Sequence, residues 1–179
     1  MSHSNTIKPN DFEIIISPSK FRIKLIESIR EAKYRIYISA LYLENDNAGN
    51  EILDSLYKAK EINSNIDIKV FVDFHRAQRG LIGSSNQIGN IKGYFEHKKK
   101  YKAFVEIYGF PVKTVEILGV FHFKAFVIDD TLFYSGASLN NVFLNFNSRF
   151  RLDRYFFFNN TALTNSFVNF YNRYFLNKN

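Results

Sequence analysis

Residues 118–141 of this sequence are LGVFHFKAFVIDDTLFYSGASLNN, and this stretch decides the fold class that the sequence predicts. Its first half is aromatic, aliphatic and β-branched except at His122 and Lys124, a composition typical of a buried strand. Residues two apart in a strand point to the same face, about 6–7 Å apart. We therefore expect His122 and Lys124 to lie side by side. Residues 129–131 predict a tight turn into a second strand at 132–135.

Two interpretations of the His122 and Lys124 pair follow from the residues alone. Burying a charged group among apolar side chains is costly, so two titratable groups on one face of a buried strand indicate a functional site. Alternatively, His122 is a hydrogen-bonded core histidine and Lys124 extends its stem over apolar surface to reach water. The small and polar residues at 136–140 that follow the hairpin favour the first interpretation.

Outward from the hairpin, strand patterns alternate with helix patterns in the first half of the chain. This order predicts βαβ units and an α/β fold, with a mixed, mainly parallel sheet flanked by helices. We expect one domain at 11–179 after a disordered N-terminus at 1–10. Predicted strands lie at 12–16, 34–43, 66–74, 103–108, 118–128, 132–135 and 149–158, and predicted helices lie at 18–33, 49–63, 93–102 and from Thr161 onward.

Polar residues stand at the ends of three predicted strands. In a parallel sheet, chemistry collects at the carboxyl ends of the strands. The sequence therefore predicts that these residues gather at one edge: Glu44 and Asp46, Asp73 and His75, and Asp129 and Asn140.

Composition limits the classes of partner. The chain has 179 residues, 46% hydrophobic and 23% charged, which indicates a globular domain. A net charge of +7 suits an anionic partner, although a merely solvated basic surface gives the same charge. There is no cysteine, the first twenty residues show no secretory signal, and no apolar run is long enough to span a bilayer. We expect a cytoplasmic protein attached peripherally to an anionic membrane surface.

The spacing His-x-Lys-x4-Asp resembles the signature of the phospholipase D superfamily. His122, Lys124 and Asp129 occupy its three positions, and Ser138 and Asn140 occupy the Gly/Ser/Asn segment that follows it. That segment is one residue longer here than in its commonest form. The resemblance implies a phospholipase D-like fold.

A wider set of stretches, at 40–44, 72–80, 120–124, 128–141 and 151–155, resembles one branch of this superfamily. It is the branch of bacterial phospholipase D-like phosphatidylserine synthases, the CDP-diacylglycerol–serine O-phosphatidyltransferases, and the resemblance covers about residues 11 to 175. Members of the family carry two His-x-Lys-x4-Asp motifs, and this chain carries one. It thus resembles the amino-terminal half, and the second histidine must come from a homodimer or a separately encoded half if the chain is active.

The resemblance implies transfer of a phosphatidyl group from CDP-diacylglycerol to serine through a phosphohistidine. His122 would be the nucleophile, and Lys124 and Asn140 would donate to the phosphoryl oxygens. Asp129 would be the third catalytic residue, although an aspartate at a turn can instead bind backbone N–H groups. No metal or other cofactor is expected.

Further phosphate contacts are expected from Ser138 and from two arginines, Arg76 and Arg79, which follow the strand predicted at 66–74. The alternative for the arginines is a surface loop with ordinary ion pairs. The run Lys98-Lys99-Lys100 is expected to be a solvated face.

Two other functions stay open at this point. One is an inactive remnant or noncatalytic half of the synthase. The other is a phospholipase D-type endonuclease, whose small basic members carry a single motif and act as homodimers. The synthase-like stretches at 72–80 and 151–155 argue against the endonuclease, so nucleic acid is not expected as a partner.

Overall fold

A seven-stranded sheet forms the centre of the protein. The computed structural model describes residues 7–78, 89–112, 119–146 and 150–177. The strands are β1 (Phe12–Ile15), β2 (Arg35–Ala40), β3 (Asp67–Asp73), β4 (Glu106–Phe110), β5 (Ala125–Ile128), β6 (Thr131–Ser135) and β7 (Tyr155–Asn159). The helices are α1 (Pro18–Glu31), α2 (Asn47–Ile62), α3 (Phe74–Gln78), α4 (Asn90–Lys100) and α5 (Thr161–Tyr171), and α5 continues into a π-helical turn at Asn172–Leu176.

The strand order is β1-β7-β6-β5-β2-β3-β4. The pairs β2–β3 and β3–β4 are parallel, whereas β1–β7, β7–β6, β6–β5 and β5–β2 are antiparallel. The α/β class and the mixed sheet are thus confirmed, but the expected predominance of parallel pairing is wrong for the described strands. The tight turn at 129–130 makes β5 and β6 antiparallel to each other, and β5 also runs antiparallel to β2.

Each face of the sheet carries its own apolar core. On one face, the side chains of Ile38, Val70 and Phe126 are fully buried against α1 and α2. On the other face, Phe71 and Val127 pack against Tyr171 of α5. Alternate strand residues therefore point to opposite helical layers, as the two-residue period of a strand requires.

The helix starts follow their capping residues. Ser17 accepts a hydrogen bond from the backbone N–H of Lys20, and Pro18 stands at the first helical position of α1. Asp46 caps α2, which therefore begins at Asn47 rather than at residue 49. For α5 the cap is Asn160 and not the predicted Thr161. No helix in the described ranges combines the length and apolarity needed to cross a bilayer.

Several predicted boundaries shift. Within the strand predicted at 118–128, the structure assigns β5 to Ala125–Ile128, and residues 119–124 precede it without regular secondary structure. The strand predicted at 149–158 begins only at Tyr155, and β4 begins three residues later and ends two residues later than the predicted strand at 103–108. At the N-terminus, Pro9–Asp11 form a 3-10 turn, and residues 1–6 lie outside the described part.

Asp129 fixes the turn between β5 and β6 to the start of β2. Its carboxylate accepts hydrogen bonds from the backbone N–H groups of Lys33, Tyr34 and Arg35 at 2.8, 3.0 and 3.2 Å. Its φ of 49° lies in the left-handed region, which aspartate tolerates better than most residues. This side chain therefore ties the hairpin to β2.

Replacing Asp129 tests this tie. We expect Asp129→Ala to lower the free energy of unfolding by about 2–4 kcal/mol, because three backbone donors lose their acceptor and alanine disfavours the left-handed conformation. The matched control is Asp130→Ala, which removes a half-exposed carboxylate 3.4 Å from Arg35 and should cost less than about 1 kcal/mol. Urea unfolding of both variants measures the difference, and equal losses would contradict the assignment.

Candidate active site at the carboxyl edge of β2 and β3

The polar groups converge where β2 and β3 end and β5 begins. Because β5 runs antiparallel to β2, Ala125 pairs with Ser39 near the end of β2, and Ile128 pairs with Ile36 near its start. His122 and Lys124 therefore lie at the edge where the parallel strands end. Asp129 lies at the opposite edge, about 13 Å away along the four residues of β5. The expectation that Asp129 would gather with the other polar strand ends is wrong.

Asp73 holds the segment that carries His122. It is the last residue of β3 and is completely buried. One carboxylate oxygen accepts the backbone N–H of Phe121 at 2.7 Å, and the other accepts the N–H of Arg76 at 2.8 Å. Both oxygens thus have partners, as a buried charge requires. Since Phe121 directly precedes His122, Asp73 sets the position of the imidazole.

His122 and Lys124 are in direct contact. The Lys124 Nζ atom lies 2.9 Å from Nε2 and 3.1 Å from Nδ1 of His122. His122 is exposed to solvent, whereas Lys124 is buried except for 3% of its surface. The two residues precede β5 and do not belong to it, but their side chains lie side by side as the sequence predicts.

Burial and positive charge both act on this pair. Burial, then the charges of Lys124 and Arg76, lower the pKa of His122 below its ordinary value of 6.5. Burial also lowers the pKa of Lys124, and the nearby carboxylate of Asp153 opposes that shift. The imidazole is accordingly held in its neutral, nucleophilic form at pH 7.

Asn140 and Ser138 lie in the segment that follows β6. Both are largely buried, and the backbone N–H of Asn140 donates to the Ser138 carbonyl at 3.1 Å. The Asn140 side-chain oxygen accepts the N–H of Phe143 at 3.0 Å, and the backbone N–H of Glu44 donates to the carbonyl of the preceding residue, Leu139, at 3.3 Å. This places Asn140 beside the end of β2, where Leu43 and Leu139 form an isolated parallel bridge.

Arg76 lies between these groups. Its guanidinium carbon is 5.4 Å from the ring centre of Tyr42, and its charge contributes to the lowered pKa of His122. Burial and then the charge of Asp46 raise the pKa of Glu44, and the charge of Arg76 opposes that rise. Arg76 therefore belongs to the cluster that the sequence predicts. Arg79 lies outside the described residues.

Asp153 is a member of the site to which the sequence assigns no role. Its carboxylate lies so close to Gly136 that a Cβ atom added there would be 3.0 Å from Asp153 Oδ2. Its charge also acts on Lys124. The available signal was its place in the synthase-like stretch 151–155, but nothing local indicates that this stretch packs against the segment after β6.

The arrangement suits nucleophilic attack on phosphorus. It combines an exposed neutral imidazole, an ammonium group in contact with it, a guanidinium and a fixed carboxamide. Groups of these types can act as a nucleophile and as donors to negatively charged oxygens. Within the described ranges, histidine and acidic side chains do not cluster in groups of three or more that could hold a metal ion.

Comparison with known proteins finds one matching family model and several curated relatives. The model of the family described as "Cardiolipin synthase, PLD-like domain" matches residues 25–173. Curated relatives include two bacterial CDP-diacylglycerol–serine O-phosphatidyltransferases. The Haemophilus influenzae protein is 43% identical over 150 residues, which are 82% of this chain and 33% of that protein. The Escherichia coli protein is 46% identical over 145 residues, 80% of this chain and 32% of that protein.

Solved structures agree with the sequence relatives. The crystal structure of phosphatidylserine synthase from Haemophilus influenzae superposes with a TM-score of 0.89 at 42% identity, covering 96% of this chain and 38% of that one. This chain spans about a third of the length of the two curated relatives. The family model covers most of the chain, so the chain belongs to the family of phospholipase D-like domains, and it is similar to part of these phosphatidylserine synthases.

Proposed function

We propose that this chain supplies one half-site of a phosphatidyltransferase that transfers the phosphatidyl group of CDP-diacylglycerol to serine. The observation that carries the proposal is the exposed His122 in contact with Lys124, at the sheet edge that also holds Arg76 and Asn140. The relatives at 43% and 46% identity are named for this reaction. Motif, geometry and relatives thus support one chemistry.

The reaction proceeds in two displacements. In the first, neutral His122 attacks the phosphorus that carries the diacylglycerol, a P–N bond forms, and the P–O bond to CMP breaks. In the second, the serine hydroxyl attacks the same phosphorus, the P–N bond breaks, and the hydroxyl proton passes to a base. Two easier displacements at the same phosphorus replace a single difficult one.

Lys124 and Asn140 stabilise the charge on the non-bridging oxygens. Lys124 places its ammonium group next to the nucleophile, and Asn140 offers a carboxamide whose oxygen is held by the N–H of Phe143. Fixed donors of this kind do not need to reorient as the transition state forms. Ser138, Arg76 and Arg79 are proposed to bind the phosphates, with Arg76 placed best by its proximity to His122.

Asp129 has a structural task in this proposal. It lies at the far end of β5 and its carboxylate binds three backbone N–H groups, so it supports the β5–β6 hairpin, which follows the His122 segment, and not the reacting atoms.

A second imidazole must come from outside this chain. The leaving group and the serine hydroxyl need a proton donor and acceptor on the side of phosphorus opposite His122. The relatives are about three times as long as the matched region, so they hold enough chain for a second half-site. We propose that a further part of the same protein, a separate chain or a second copy contributes it.

The substrate and the surface charge together favour an anionic bilayer as the working surface. The chain carries a net charge of +7, and Lys98, Lys99 and Lys100 are exposed at the end of α4. Basic residues near acidic lipid are attracted over about one Debye length, an attraction that salt screens. We propose peripheral attachment by this charge.

Release of CMP tests the function. With the second half-site present, the protein should form phosphatidylserine and CMP from CDP-diacylglycerol and serine. Lys124→Met should slow this by about a hundredfold or more, because the donor next to the nucleophile is lost. Lys92→Met, at an exposed position on α4, is the matched control and should retain activity.

The same assay tests the peripheral attachment and separates the alternative functions. On substrate in phosphatidylglycerol vesicles the rate should fall as NaCl is raised, and on detergent-dispersed substrate it should change little.

Nicking of DNA without CMP release would contradict the proposal in favour of an endonuclease, and inertness toward both substrates would favour a noncatalytic half.

The pH dependence follows from the imidazole. Because the pKa of His122 is lowered from 6.5, the neutral form persists to lower pH, and activity should decline only in acid below that value. In Lys124→Met the loss of a neighbouring positive charge should raise the pKa of His122, as titration of its ring resonances by NMR can measure. A pKa above 6.5 in the wild type would contradict the described electrostatics.

A further inference from the structure

An apolar groove lies between α4 and β4, the strand at the edge of the sheet. Its cavity volume is about 290 Å³, and its walls are almost entirely apolar. Val72, Tyr94 and Val105 line the groove and are buried, so they form its inner wall. The groove is open to solvent on its outer side, where further apolar side chains line it.

Four large apolar side chains at this opening are exposed. Phe95 and Phe104 expose 55% and 56% of their surface, Phe74 exposes 42% and Ile91 exposes 37%. Ile91 and Phe95 stand four residues apart on α4, so they lie on the same side of that helix. We call these four residues and the groove between them the α4 face. An exposed apolar patch of this kind indicates a surface that binds a partner.

Lysines flank the α4 face. Four of the five residues from 98 to 102 are lysines, and none of the five is acidic. All four lysines are exposed, and the Nζ atom of Lys98 lies 5.3 Å from the ring centre of Phe104. A lysine can lay its stem along apolar surface while its ammonium group reaches outward. The α4 face is therefore apolar along the groove and positively charged at one end.

This combination suits an anionic bilayer better than a protein or a nucleic acid. The cores of protein interfaces are depleted in lysine, whereas segments that lie in a membrane surface combine Phe and Leu side chains with lysine and arginine. Acidic head groups complement the four lysines, and an acyl chain matches the apolar groove. A nucleobase in the same groove would leave its polar edge without hydrogen-bond partners.

The groove reaches the edge of the sheet that carries the candidate active site. Phe74 directly follows Asp73, whose carboxylate holds the segment of His122. Gly109 packs against Phe74, since a Cβ atom added there would be 3.1 Å from Phe74 Cδ2. From Val105 to Gly109 the groove follows the chain for about 13 Å. A bilayer that covers the groove thus lies beside the edge at which phosphate chemistry is proposed.

We propose that the α4 face inserts into an anionic bilayer, with Phe95 and Phe104 below the head groups and an acyl chain of a membrane lipid in the groove. The inference rests on the proposed function, which requires a lipid substrate. It adds an apolar component and a defined surface to the attachment by charge. Lys98 and Lys99 then lie at the level of the lipid phosphates, which is also the level of the phosphorus that His122 attacks.

A single tryptophan can report on this surface, because the chain contains none. Phe95→Trp places the probe on the α4 face. The matched control is Tyr174→Trp, at a side chain that is 53% exposed in the turn after α5, on the other face of the sheet. With phosphatidylglycerol vesicles whose acyl chains carry bromine, a quencher of indole fluorescence, we expect quenching in Phe95→Trp and none in Tyr174→Trp.

A second pair of variants separates insertion from attraction by charge. Phe95→Ser keeps every lysine, and it should weaken partition of the full chain onto phosphatidylglycerol vesicles by about tenfold to a hundredfold, because burial of one phenylalanine side chain is lost. Tyr174→Ser removes an equally exposed aromatic ring and should bind like the wild type. Co-sedimentation with the vesicles measures both.

Three results would overturn the inference. They are an absence of quenching in Phe95→Trp, equal quenching in both tryptophan variants, and quenching that disappears when the second half-site is added, which would assign the α4 face to that half. These measurements need no catalysis, so each of the three results leaves the proposed function standing. A protein that inserts as expected but releases no CMP with the second half-site present would overturn the proposed function alone.

Discussion

The antiparallel pairing of β5 with β2 is the constraint on which the site depends. Ser39 pairs with Ala125, and its hydroxyl donates to the Ala125 carbonyl at 3.0 Å while accepting the Ala125 N–H at 3.1 Å. This fixes the start of β5 at the end of β2. The direction of β5 then decides which motif residues meet: His122 and Lys124 arrive at the edge where β2 and β3 end, and Asp129 goes to the opposite edge. A parallel β5 would have exchanged these places.

One buried and one partly buried carboxylate hold this edge together, and two cations lie close to the imidazole. Asp73 and Asp46 bind backbone N–H groups of the segments that carry His122 and Asn140. Burial, and then the charges of Lys124 and Arg76, lower the pKa of His122 and favour its neutral form. In the proposed reaction the same two charges face the phosphoryl oxygens. The two carboxylates thus have a structural role and the two cations the proposed chemical role, because a carboxylate whose oxygens already accept backbone hydrogen bonds does not compete for the cations.

Local patterns predicted the elements, whereas nonlocal pairing decided the site. The apolar runs at 34–43 and 66–74 and the Ser17-Pro18 cap contain enough information to predict β2, β3 and α1. The two-residue spacing of His122 and Lys124 predicted their contact, although β5 begins only at Ala125. The direction of β5 could not be predicted, since it depends on contacts between residues far apart in sequence. For the same reason the approach of Asp153 to Gly136 had no local signal.

The central claim is that His122 becomes covalently bonded to phosphorus. The most direct measurement is to mix the protein and its second half-site with CDP-diacylglycerol in the absence of serine, quench at alkaline pH to preserve the P–N bond, and map the modified peptide by mass spectrometry. The account predicts a phosphatidyl group on the peptide that contains His122. Release of CMP with no adduct on that peptide, or with the adduct on another residue of this chain, would contradict it.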